Sequence, residues 1–172
     1  GGIVSYPEWA DDMVRCGIIL YGSGELAERM GMEPVMSLKT RVATVRDLAP
    51  GTSVSYGRTY FTERESRIAV LPIGYADGLH RTLSNRMEVL TPYGRAKQVG
   101  RICMDMCMID VTDLPEVKSG DEVEIFGKNV LCAEDAAACG TIPYELLCAV
   151  SKRVPRHYFL HGKRVDTDLT PL

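Results

Sequence analysis

From residue 34 onward the chain is built of short apolar or alternating runs cut by Gly, Pro, Asn and Asp. Met36, Leu38 and Val42 alternate with polar residues and predict a strand to about residue 45, closed by the turn Leu48-Ala49-Pro50-Gly51. Further strands are expected over residues 52–56, 60–61 and 67–73, then as a hairpin over 87–90 and 96–99 around Thr91-Pro92-Tyr93-Gly94, and over 102–104, 107–111 and 122–126. A strand about every eight to twelve residues predicts a mainly β domain, barrel-like or a sandwich. Two short helices interrupt it. One covers 133–139, stopped by Gly140 in a favourable C-terminal position; the other starts at Thr141 as N-cap, with Pro143 in its first turn, and runs to 151. Residues 158–160 and 164–166 offer a last hairpin after Pro155. Upstream, 6–13 suits a short helix or turn, and 14–22 is a continuous apolar run between glycines of the kind a strand buried on both faces shows. Residues 23–33 read as a linker, which divides the chain into 1–33 and a β domain over 34–172.

Composition narrows the classes. With 172 residues, 45% apolar and 25% charged, the chain is one ordinary domain, or one domain and a fragment of another. A net charge of -3 gives no basic surface for nucleic acid. No apolar run reaches the ~20 residues of a membrane helix, and no secretory leader is present, so a cytoplasmic location is expected. A membrane segment in a preceding part would leave no trace here. The first residue is Gly, which suggests a cut or processed start. Six cysteines include no C-x-x-C, and the three histidines lie outside any ligand spacing, so reduced buried thiols are expected and no metal site.

The candidate chemistry centres on Val54-Ser55-Tyr56-Gly57, where a β-like run ends at a Tyr-Gly step and presents a phenol. It gains meaning from its company: Arg15-Cys16-Gly17-Ile18-Ile19-Leu20-Tyr21-Gly22, Gly74-Tyr75-Ala76-Asp77-Gly78, Gly100-Arg101-Ile102-Cys103-Met104-Asp105-Met106 and Ile142-Pro143-Tyr144-Glu145. Together, in this order, the five motifs closely resemble the alanine racemase family, over nearly the whole chain. The resemblance implies a (β/α)8 barrel that holds pyridoxal 5'-phosphate, followed by a C-terminal β domain. It also implies a head-to-tail homodimer whose active sites each join one subunit's barrel to the other's β domain. Residues 1–33 are then the last strand region of the barrel and a linker.

The resemblance assigns roles residue by residue. Tyr56 matches the base that acts on the L-amino acid. Removal of an α-proton needs an electron sink, which the cofactor supplies, and inversion needs a base on each face. A phenol in water titrates near ~10, and a cation beside it brings that down by about 1–3 units. Arg58 is near in sequence but is not expected to be that cation. Arg15 matches the arginine facing the cofactor's ring nitrogen, and Gly17, Ile18 and Tyr144 match the groups around its phosphate. Met104 matches a main-chain contact to the substrate carboxylate, and Tyr75, Arg81 and Asp105 match residues of the substrate entrance. The family's cofactor lysine, in a Lys-Ala-Asn-Ala-Tyr-Gly-His type segment, has no counterpart here, and Lys39 is not one. The chain is therefore expected to be inactive and to hold little cofactor alone. A small amino acid is the expected substrate, alanine ahead of serine or a broader set because the Tyr144 phenol narrows the pocket. The competing reading is a stand-alone β-barrel binding module, disfavoured by an aromatic content of only 7%.

Overall fold

The computed structural model describes residues 2–10 and 12–168. Seven strands form one antiparallel sheet: β1 (Leu38–Arg41), β2 (Thr44–Leu48), β3 (Ser66–Leu71), β4 (Glu88–Thr91), β5 (Gly94–Val99), β6 (Cys107–Asp110) and β7 (Glu122–Phe126). Their spatial order is β1-β7-β4-β5-β6-β3-β2, so the two edge strands are neighbours in sequence. In a flat sheet, six steps of ~4.8 Å would hold those edges about 29 Å apart. Only Val42 and Ala43 join them. The Val42 N–H donates to Asp121 O at 2.9 Å on the β7 side, while the Ala43 N–H donates to Val70 O at 2.8 Å on the β3 side. The sheet is therefore curled until its edges nearly meet. The single strand expected up to residue 45 is in fact two, broken where the chain crosses between edges.

The curl explains the pattern of β3. Ala69 and Leu71 point inward to the main core with Val89, Ile109, Val111, Val123 and Ile125. Ile68 and Val70 point outward, joining Val54, Val99 and Met108 in a second cluster. A strand apolar on both faces loses the alternation of a half-buried one.

Helices α1 (Gly2–Ser5) and α2 (Glu25–Arg29) precede the sheet, the second inside the expected linker. The helices expected after β7 are α3 (Cys132–Cys139) and α4 (Pro143–Ala149). Gly140 ends α3 at φ 73°, donating to Ala136 and Ala137 carbonyls. Ile142 rather than Thr141 stands at the N-cap of α4; the Thr141 hydroxyl bonds Glu145 instead. The chain closes with the hairpin β8 (Arg156–Leu160) and β9 (Lys163–Asp168).

Four expected strands take other forms. The apolar run over 14–22 contains a 3-10 helix, Gly17–Tyr21, because Gly17 takes φ +64° and no strand among the described residues lies beside the run to form a ladder. Leu20 is 62% exposed there. The stretch 52–61 has only the Ser53–Phe61 bridge, and 102–104 lies outside the sheet. The expected turn over 6–13 holds a 3-10 helix, Pro7–Trp9, with Tyr6 stacked on Trp9 at 4.5 Å. Among the described residues no helix is long and apolar enough to cross a membrane, and no three His, Cys, Asp or Glu cluster to hold a metal. Burial pushes the Cys107 and Cys132 thiols up to about 12.

Asp135, in α3, is 3% exposed and its Oδ2 has no hydrogen-bond partner. Burial, then the Glu134 carboxylate, push its carboxyl from 3.8 up to about 7, against an opposing pull from Arg95. Between those values the folded state keeps a proton that the unfolded chain has released, so this group's contribution falls as pH rises through about 4 to 7. Asp135→Asn is expected to remove that slope and to raise stability at about pH 8 by about 2–4 kcal/mol relative to the parent. Urea unfolding at about pH 4.5 and 8 measures it.

Candidate functional site

Between β5 and β6 the chain leaves the sheet, and the backbone of residues 100–105 becomes a rail to which three turns are tied. Ser55 Oγ donates to Arg101 O at 2.7 Å. Asn85 accepts the Gly100 N–H at 2.6 Å and donates to Thr59 Oγ1 at 3.3 Å, so the turn bearing Tyr56 is held at both ends. Ser84 Oγ accepts the Ile102 N–H at 3.0 Å and donates to Arg81 O at 2.6 Å. The Tyr75 and Ala76 N–H groups donate to the Cys103 and Met104 carbonyls, each at 3.0 Å. Behind the rail, Gln98 is 2% exposed; it donates to Val99 O and Gly100 O and accepts the Asn85 N–H at 2.7 Å. Every polar atom of that buried amide is engaged, which rigidifies the segment it supports.

These ties bring Tyr56, Tyr75, Arg81, Met104 and Asp105 to the lining of one groove, floored by Leu48, Ile68, Val70 and Met108. The outward apolar face of β3 is thus the floor of the groove. Tyr56 opens a 3-10 turn, Tyr56–Arg58, instead of ending a strand, and is 74% exposed. Arg58 lies over the Phe61 ring at 5.4 Å, a contact that occupies its guanidinium away from Tyr56. Among the described residues the Met104 N–H meets no backbone acceptor.

Residue-type reasoning missed Arg153. Its Nε donates to Asp77 Oδ1 at 2.8 Å and its terminal nitrogen to Asp105 Oδ1 at 2.6 Å. The other Asp77 oxygen accepts the Gly74 N–H at 2.8 Å. One guanidinium therefore fastens the Tyr75 turn to the corner after Met104, and the Asp105 charge is met from inside the chain. Arg46, also on the groove lining, was missed as well. Neither carries a local signal: each is a lone arginine brought in by topology.

The remaining candidates gather elsewhere. The Ile18 N–H donates to the Tyr144 hydroxyl at 3.2 Å, and a Cβ at Gly17 would sit 3.2 Å from that same oxygen. Gly17, Ile18 and Tyr144 thus form one cradle of bare backbone and a phenol whose O–H remains to donate, a setting suited to an anion such as phosphate. Arg15 is exposed upstream of it. None of these four residues lines the groove.

The family model described as "Alanine racemase, C-terminal domain" matches residues 35–158. The alanine racemase of Desulfovibrio desulfuricans is 52% identical over 160 residues, covering 91% of this chain and 43% of that protein. Alanine racemase 1 of Clostridium acetobutylicum is 48% identical over 171 residues, with 95% and 44% covered. Among solved structures, the biosynthetic alanine racemase from Pseudomonas aeruginosa has a TM-score of 0.88 at 43% identity, over 92% of this chain and 46% of that one. The Clostridium difficile alanine racemase in complex with cycloserine has a TM-score of 0.89 at 38% identity, over 97% and 46%. The chain thus spans less than half the length of the relatives it matches.

The rail depends on a glycine. Gly100 has φ +75°, and a Cβ there would lie 2.6 Å from Val54 O and 2.9 Å from Ser55 Cβ. Gly100→Ala is expected to cost about 2–4 kcal/mol through backbone strain and overpacking, against about 1 kcal/mol for Gly120→Ala, which has a positive φ but open space. Thermal unfolding of the two variants side by side checks this.

Proposed function

The chain belongs to the alanine racemase family through that family's C-terminal domain, and from this premise we propose that it is the β-domain part of a pyridoxal-phosphate-dependent racemase that interconverts L- and D-alanine. Residues 1–33 are read as the end of the cofactor barrel and a linker, and 34–172 as the β domain; the family match from residue 35 supports that division. The observation that carries the reading is the groove, where three residues from three turns and two from the rail converge on one surface although nothing in their local sequence requires it. A binding module would have no need of a phenol held so rigidly at a rim.

Pyridoxal phosphate, when bound, supplies the electron sink for loss of the α-proton. Gly17 and Ile18 offer main-chain contacts to its phosphate, Tyr144 offers a hydroxyl, and Arg15 is the group for its ring nitrogen. The fit rests on the cradle described above. A guanidinium at that position would leave the ring nitrogen of a bound cofactor unprotonated and would call for good bases in return. Tyr56 takes the proton from the L-amino acid and returns it at the same face in the reverse direction. The Met104 N–H and the cation Arg81 suit a substrate carboxylate, while Asp105, already paired with Arg153, does not repel it. Tyr75 narrows the entrance.

The two groups of residues lie apart on one chain, which supports a site assembled from two copies: the cradle of one and the groove of another. Alone, this chain is expected to be inactive. It contains no segment like that of the family's cofactor lysine, and Lys39 is engaged with Glu122 at 2.9 Å. Serine or a broader set of small amino acids is the second reading of the substrate, with the Tyr144 phenol favouring alanine.

In the full-length protein with added pyridoxal phosphate, Tyr56→Phe is expected to lower L-to-D turnover of alanine by about 10²–10⁴-fold while the cofactor still binds. Unchanged turnover removes Tyr56 from the chemistry. The ratio of L-alanine to L-serine rates in the parent protein names the substrate.

A further inference from the structure

The turn that carries Tyr56 is strained at the residue before it. Ser55 has φ 68° and ψ -176°, a region that glycine enters freely and other residues do not, because a Cβ there crowds the flanking backbone. Its neighbours over-determine this conformation. The Val54 N–H donates to Tyr60 O at 3.0 Å, the Ser55 hydroxyl donates to Arg101 O at 2.7 Å, and the rail passes so close at Gly100 that a Cβ there would meet Val54 O and Ser55 Cβ. Cys103 Sγ lies 3.5 Å from the same hydroxyl. A glycine at 55 would relieve the strain but would have no hydroxyl to hold the turn.

We propose that Ser55 is a positioning residue for Tyr56: its strained backbone, tied down through the hydroxyl to the Arg101 carbonyl, sets where the phenol stands over the groove. The inference rests on the reading of Tyr56 as the proton-transfer group. Strain that persists only because the surroundings enforce it is a means of pre-organisation. At this position it exchanges some stability for a fixed phenol, and misplacement of a reacting group by about 1 Å costs up to about 100-fold in rate.

Substitutions separate the tether from the strain. In the full-length protein, Ser55→Gly removes both, and Ser55→Ala removes the tether while keeping the strain. Ser55→Gly is expected to melt at or above the parent temperature, yet to lose about 10- to 100-fold in kcat for L-alanine, with KM within about twofold. Ser55→Ala is expected to melt lower than the parent and to lose kcat as well. A gain in stability with a loss of kcat is a pattern that a merely structural serine does not produce. Ser55→Gly with full kcat, measured beside a Tyr56→Phe that has lost it, overturns the positioning role alone. Ser55→Gly that melts as low as Ser55→Ala overturns the strain. Tyr56→Phe at full activity overturns the base reading, and with it the purpose assigned to Ser55.

Discussion

The arrangement of the groove depends on six residues of backbone that belong to no strand. Residues 100–105 leave the sheet after β5 and return at β6, and in between their carbonyls and N–H groups bond outward to the three turns that bear Tyr56, Arg81 and Tyr75. A regular strand would have spent those groups on a neighbouring ladder. Because the segment is freed from pairing, it can serve side chains from stretches as distant as residues 55 and 85. Gly74 and Gly100 allow the contact: a Cβ at Gly74 would lie 2.3 Å from the Cys103 carbonyl oxygen. Backbone meets backbone at these two places, and only hydrogen occupies the gap.

The curled sheet gives this rail its setting. Closing edge on edge through Val42 and Ala43 puts one face of the strands around the main core and leaves the other convex. On β3 and β6 that outer face is still apolar, with Ile68, Val70 and Met108 half-buried or buried beneath the groove. An outward face that remains apolar in an antiparallel sheet has a use other than solvation. The polar groups of the site are thus mounted at the rim of an apolar floor, which is how small-molecule sites commonly combine orientation with burial.

The fold was legible where local chemistry and tertiary structure agree. The β4–β5 hairpin follows from Thr91-Pro92-Tyr93-Gly94, and α3 from its alanines and Gly140. The reading failed where the outcome depends on a partner. Residues 17–21 are apolar enough for a buried strand, but a strand needs neighbours, and without them a Gly at φ +64° directs the run into a 3-10 helix. The site divides in the same way. Tyr56, Tyr75, Met104 and Asp105 stand in motifs that resemble a family, Arg81 follows from its spacing after Tyr75, and the structure brings all five to one groove. Ser55, Asn85, Gln98 and Arg153 have no role legible in the sequence because their importance lies in what they hold. A buried glutamine in a strand, or an arginine after a helix, says nothing of its partners until the chain is folded.

Charge that develops during proton transfer is stabilised best by fixed dipoles in a site from which water is excluded. The groove has a dry floor but no roof, and Tyr56 stands 74% exposed at its edge. The cradle of Gly17, Ile18 and Tyr144 is likewise half-open, with Tyr144 47% exposed. On the proposed function the two are complementary: one presents a phenol and arginines to a small amino acid, the other a phenol and bare backbone to a phosphate. Two open half-sites on one chain, neither enclosed, accord with the proposal that a second copy covers the groove.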